Sequence, residues 1–124
     1  MTPDVRRYER SSTGGGYQVG FRCGGQRFSG LPVATLSAGG CSFAAPEALI
    51  TLLDRLEDGG AFEEVILEHE GLPREPLRAR MAYTLGRHPL MVGLEFLDVP
   101  QPFRNMLLGQ VHALVQQQRS SSGY

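Results

Sequence analysis

Three arginines, Arg6, Arg7 and Arg10, surround Tyr8 near the start of the chain, and the four-residue spacing of Arg6 and Arg10 lets both converge on one ligand. A guanidinium pairs bidentately with phosphate or with the O6/N7 edge of guanine, and its plane stacks on a purine. A second group, Thr35-Leu36-Ser37-Ala38-Gly39-Gly40, sets small hydroxyls and two glycines between apolar Val33 and Phe43, as in a turn joining two strands. Together the two groups suit a small anionic ligand. Taken singly they are ordinary, since an Arg-rich terminus is commonly solvated and a Gly-containing turn commonly just reverses the chain.

Catalytic chemistry has less to build on. Ser37 has no histidine nearby in sequence to activate it, and Glu63, Glu64, Glu68 and Glu70 read as a solvated strand and loop rather than an acid/base pair. His69, His88 and His112 share no metal-ligand spacing, and two cysteines, Cys23 and Cys41, are too few for a disulfide framework or a four-thiolate zinc site. The expectation is a non-enzymatic protein with no metal or cofactor, whose cysteines are reduced strand residues.

At 124 residues, 41% hydrophobic and 20% charged, the chain is expected to fold as one soluble domain. No apolar run approaches the roughly 20 residues of a membrane span, and MTPDVRRYER has no apolar core for a signal peptide, so no membrane insertion and a cytoplasmic location are expected. All 12 basic residues are arginine, a bias that weakens arginine abundance as evidence while leaving arginine placement informative. Up to residue 30, five arginines face Asp4 and Glu9, a balance of +3; from Glu47 to Glu75, two arginines face nine acids, a balance of −7. A net charge of −1 with an acidic middle argues against nucleic acid as a partner, which needs a broad basic footprint.

Residues 1–16 read as a flexible arm carrying the arginines, because so little apolar surface cannot offset the entropy of ordering. Tyr17, Val19, Phe21 and Cys23 alternate with polar or small residues as a half-buried strand, Gly24-Gly25 marks a hairpin, and a return strand starts near Gln26, breaks at Ser29-Gly30 and continues through the opening turn. Pro32 within it predicts an edge or a bulge. Over Pro46–Asp58 the period becomes helical, with Leu49, Leu52, Leu53 and Leu56 on one face. Strands are expected over Phe62–His69, over Leu77–Leu85 with Leu77, Ala79, Met81, Tyr83 and Leu85 on one side, and over Leu90–Val99 with Val92, Leu94 and Phe96 on one face. Past Pro100 and Pro102, a terminal amphipathic helix carries Phe103, Met106, Leu107, Gln110, Val111, Leu114 and Val115, and 119–124 reads as a disordered tail. The predicted fold is all-β: a six-stranded antiparallel barrel over 17–118 with a short inserted helix and a C-terminal amphipathic helix.

The Arg-x-x-x-Arg arm, the Leu-Ser-x-x-Gly turn after the second strand and Val-Gly-Leu-Glu-Phe-Leu at 92–97, in this order, resemble a PilZ domain, the bacterial receptor module for cyclic di-GMP. The resemblance covers most of the chain and implies the same barrel with a helix at its C-terminal end. It carries the family's arginine pair onto Arg6 and Arg10 and its Asp/Asn-x-Ser-x-x-Gly turn onto Thr35, Ser37 and Gly40. Thr35 departs from that pattern. A hydroxyl there forgoes one charge-assisted hydrogen bond, worth about 1.5–3 kcal/mol or one to two orders of magnitude in affinity.

By this resemblance Arg6 and Arg10 bind phosphate and the guanine Hoogsteen edge, Arg7 orients or stacks, Ser37 hydrogen-bonds guanine and Gly40 permits the close turn. The expected function is a cyclic di-GMP receptor or adaptor in bacterial signalling that presents a changed surface to an effector protein. The alternative, prompted by Thr35, is a PilZ-like interaction module that binds no nucleotide and acts in motility or envelope regulation.

Overall fold

Strict alternation puts Val19, Phe21 and Cys23 on one face of a strand, and in the computed structural model, which describes residues 8–55 and 61–121, all three point inward. The elements run β1 (Arg10–Ser12), β2 (Gln18–Cys23), β3 (Gln26–Ser37), β4 (Gly40–Ala44), α1 (Glu47–Arg55), β5 (Ala61–Glu68), β6 (Leu77–Leu85), β7 (Met91–Leu97) and α2 (Gln101–Ser121). Every pairing is antiparallel. The sheet order β1-β3-β2-β5-β6-β7-β4 is closed by an additional β3–β4 pairing, so six strands form a barrel and β1 adds to the outside of β3. The expected all-β barrel with an inserted and a terminal helix is what the chain forms.

Gly24 and Gly25 both take positive φ, at 58° and 79°, which is the two-residue hairpin geometry that matches strand twist, and Cys23 pairs with Gln26 across it. The break expected at Ser29-Gly30 does not occur. Gly30 takes φ 69° within a continuous twelve-residue β3, and a register shift in the β2–β3 ladder, between Val19 and Phe21, absorbs the irregularity. Continuity matters because β3 pairs with β1, β2 and β4 along its length.

Side chains from every wall fill the barrel. Phe21 meets Phe28, Phe43 and Phe62 at ring-centroid distances of 5.4, 5.4 and 5.0 Å, and each fully buried apolar side chain contributes about 1.5–3 kcal/mol. Helix α1 buries Leu49 and rests Leu52 against Gly24, where an added Cβ would approach within 2.9 Å. The Pro46 carbonyl accepts from the amides of Leu49 and Ile50, so this proline precedes the first turn and has no N–H to waste there. Leu56 lies outside the described residues. Helix α2 buries Phe103, Leu107, Val111 and Leu114, but Met106 of the expected stripe is exposed. The helix continues through Ser121, past the Arg119 boundary at which a tail was expected.

The arm expected over 1–16 contains a strand, because Arg10, Ser11 and Ser12 pair with Ser37, Leu36 and Thr35. The regular alternation expected along Leu77–Leu85 also fails halfway. A bulge between Met81 and Tyr83 shifts the register, so Leu77 and Ala79 face the core while Tyr83 is half-buried and Leu85 is exposed.

Both cysteines are free and buried. The charge division seen in the sequence closes across β2 and β5: Arg22 lies 2.9 Å from Glu64, Arg27 lies 3.4 Å from it, and the Arg22 hydrogen bond holds that carboxyl below its usual range. Being exposed, these pairs add little to stability.

Candidate functional site

Pairing β1 with β3 is what assembles the candidate site. Arg10 lies opposite Ser37 in the ladder and Ser12 lies opposite Thr35, so the basic arm and the hydroxyl turn share one outer face of the barrel. Arg6 and Arg7 fall outside the described residues.

Each hydroxyl already has a local partner. Thr35 Oγ1 is 2.5 Å from Ser42 Oγ on the neighbouring strand. Ser37 Oγ accepts from the Gly39 amide at 3.1 Å and donates to the Gly40 carbonyl at 3.4 Å, which fixes the turn from within. The turn is buried throughout, Ser37 being only 1% exposed, and the Gly39 carbonyl accepts from the Phe96 amide at 2.9 Å.

The two turn glycines serve space rather than backbone freedom, since neither takes positive φ. A Cβ on Gly40 would collide with the Leu94 carbonyl oxygen of β7, so this glycine lets β4 lie against its neighbour. A Cβ on Gly39 would come within 2.9 Å of the Tyr8 ring, which rests on that residue. The Tyr8 ring has Arg104 of α2 above it, guanidinium carbon to ring centroid 4.9 Å, and an Arg104 Nη donates to the phenol oxygen. Arg104 Nε is buried with no hydrogen-bond partner among the described residues.

On the opposite flank Arg10 meets Tyr83, its guanidinium carbon 5.7 Å from the ring centroid and Nη1 donating to the phenol at 3.4 Å. Tyr83 in turn lies over Gly93 of β7. A cation held by an aromatic face keeps its charge available to an incoming anion. Sequence reasoning missed Tyr8, Tyr83 and Arg104: the period-2 reading puts Tyr83 on the core face, and Arg104 falls next to Phe103 outside the helix stripe of Phe103, Met106, Leu107, Gln110, Val111, Leu114 and Val115. The Arg-x-Tyr spacing of the arm was the one available signal.

A second concavity of about 340 Å³ lies between α2 and the segment after β1, lined by Thr13, Gly15, Tyr17, His69, Gln110 and Gln117 among others. Tyr17 stacks on His69 at 4.0 Å and donates to Gln110 Oε1 at 2.5 Å, while His69 Nδ1 accepts from the Gly71 amide at 2.9 Å. Burial raises the Tyr17 phenol pKa. Among the described residues its walls carry no arginine, so an anion has less to hold it here than beside Arg10. Among the described residues no group of three or more His, Cys, Asp or Glu side chains could hold a metal ion, and no helix is long and apolar enough to cross a membrane.

No family model and no curated protein matches the sequence. Solved structures do match in fold. The PilZ domain of YcgR from Escherichia coli, with c-di-GMP, is 17% identical with a TM-score of 0.65, covering 97% of this chain and 98% of that one. The K. pneumonia MrkH complex with c-di-GMP is 11% identical with a TM-score of 0.72, covering 96% of this chain and 56% of the other. The Bacillus subtilis inhibitor of motility MotI/DgrA is 16% identical with a TM-score of 0.66, covering 95% and 53%. The chain therefore has the fold of PilZ domains, and it spans about half the length of the longer proteins it matches.

Proposed function

We propose that this chain is a cyclic di-GMP receptor module without catalytic activity of its own, acting in the cytoplasm on an effector protein. One observation carries the reading: Arg10 lies directly across from Ser37, which brings together two residues that the sequence separates by 27 positions, within a fold that YcgR and MrkH use with c-di-GMP. In this reading Arg10, held against the Tyr83 face, meets a phosphate or a guanine Hoogsteen edge, Arg6 does the same from the arm, and Arg7 orients or stacks. Thr35 and Ser37 meet the guanine, and Gly40 keeps β4 close enough to β7 for them to share a face. Binding draws Arg6 and Arg7 onto the ligand beside the already paired β1, and the remodelled face becomes the surface that the effector reads.

Calorimetric titration of the purified chain with cyclic di-GMP, beside Arg6→Ala and Arg10→Ala, tests this. Heat of binding that both substitutions reduce supports it, and either silence at high micromolar ligand or indifference to both arginines rejects it.

The Thr35–Ser42 hydroxyl contact favours a second reading. With no carboxylate at position 35, the same face and the exposed Met106 and Leu108 of α2 would serve a nucleotide-independent protein contact, in motility or envelope regulation. Capture of the same protein partner with and without nucleotide would favour this reading over the first.

A further inference from the structure

The Tyr8 ring fills a flat space on the turn, bounded by Gly39, which only a residue without a side chain could leave open, and by the Arg104 guanidinium. Resting on the receptor reading above, we propose that this space is a guanine-binding slot, that Tyr8 occupies it in the nucleotide-free state, and that Arg104 is a fourth arginine of the site, supplied by α2.

The hydrogen-bond inventory of Arg104 motivates the proposal. The Tyr8 phenol offers one oxygen, which takes an Nη hydrogen, and Nε stays buried with no acceptor among the described residues. A guanidinium presents its donors as a planar fork. The Hoogsteen edge of guanine presents two acceptors, O6 and N7, at the spacing such a fork requires, so the base satisfies Nε where the phenol leaves it bare. Arg104 is also well anchored. It stands in the first turn of α2, where its amide donates to the Pro100 carbonyl at 3.0 Å, next to the buried Phe103. Tyr8, by contrast, precedes the first residue of β1 and leaves the slot without breaking a strand pair. Entry of the base therefore exchanges one aromatic occupant for another and transfers Arg104 from the arm to the ligand, so α2 registers occupancy directly.

The sign of two substitutions in the full chain tests this. Tyr8→Ala removes a competitor and tightens cyclic di-GMP binding by about threefold to tenfold, because the competent state no longer has to be freed. Arg104→Ala made in the Tyr8→Ala background, where the arm contact is already gone, weakens binding by about tenfold relative to Tyr8→Ala. It also narrows the preference for cyclic di-GMP over cyclic di-AMP, whose adenine edge offers an acceptor and a donor. Arg104→Lys in the same background, which keeps the charge and loses the fork, gives the same loss of preference and covers the case in which alanine unfolds the chain. If Tyr8→Ala weakens binding or leaves it unchanged, or if both Arg104 substitutions leave affinity and base preference intact, the slot is refuted while the receptor reading stands. Absence of binding by the parent chain and by Tyr8→Ala alike rejects the receptor reading and the slot with it.

Discussion

The Tyr83 ring lies flat across the backbone of Gly93, where an added Cβ would collide with it, and from that seat it holds the Arg10 guanidinium at 5.7 Å. The contact depends on the bulge between Met81 and Tyr83, without which the aromatic would point into the barrel. Removing the ring leaves the core untouched but lets Arg10 wander. Tyr83→Ala is expected to weaken cyclic di-GMP binding about twofold to fivefold, the scale of an exposed cation–π contact, with little change in melting temperature. Titration and a thermal melt on the same sample check both halves.

Gly40 makes the opposite case, in which a site glycine is a fold glycine. Its missing side chain faces the Leu94 carbonyl, a backbone atom that cannot rotate away. Gly40→Ala is expected to cost about 3 kcal/mol or more by forcing β4 off β7. Urea denaturation should show the midpoint falling with the slope unchanged. Retained stability would mean the strands yield more easily than this packing implies.

Thr35→Asp restores a carboxylate to the turn. The Ser42 hydroxyl, now 2.5 Å from Thr35 Oγ1, can donate to it and hold it in place. Gaining one charge-assisted hydrogen bond to guanine is expected to tighten binding by about ten- to a hundredfold. Calorimetry decides the matter, and an unchanged affinity would place the guanine away from residue 35.

Burial pushes the Cys41 thiol up to about 12, from the ordinary 9.0. An acid whose folded pKa is raised binds its proton more tightly when folded, so the associated stability is full below pH 9 and is lost as pH rises towards 12. Cys41→Ala should flatten the alkaline decline of the melting temperature, and in the parent chain below pH 9 Cys41 should react with aromatic disulfide reagents only after denaturation.

Periodicity revealed most of the barrel because Val19, Phe21, Val92, Leu94 and Phe96 obey a two-residue repeat that burial imposes directly. It failed where irregular backbone intervened. The bulge that turns Tyr83 outward adds one residue to one strand, and no local composition announces it. Strand β1 was hidden for another reason: Arg10-Ser11-Ser12 has no apolar pattern, and its order comes from hydrogen bonds to β3. For the same reason the partners of Gly39 and Arg104 were invisible, as both contacts join segments about thirty or more residues apart, Tyr8 with Gly39 and Tyr8 with Arg104. The Arg/Ser/Gly motif itself was legible, since it needed only residue types in order.

The route by which the barrel closes has a kinetic consequence. Strands β2-β3-β4 and β5-β6-β7 are two local meanders, and only the β2–β5 and β4–β7 ladders sew them together over long loops. The candidate site straddles the second of these seams, taking Arg10, Ser37 and Gly40 from one half and Tyr83 and Gly93 from the other. Loop-closure entropy makes such a seam late to form and early to open. A ligand seated across it acts as a stitch between the halves, and amide exchange along β4 and β7 should slow in its presence more than exchange along β5.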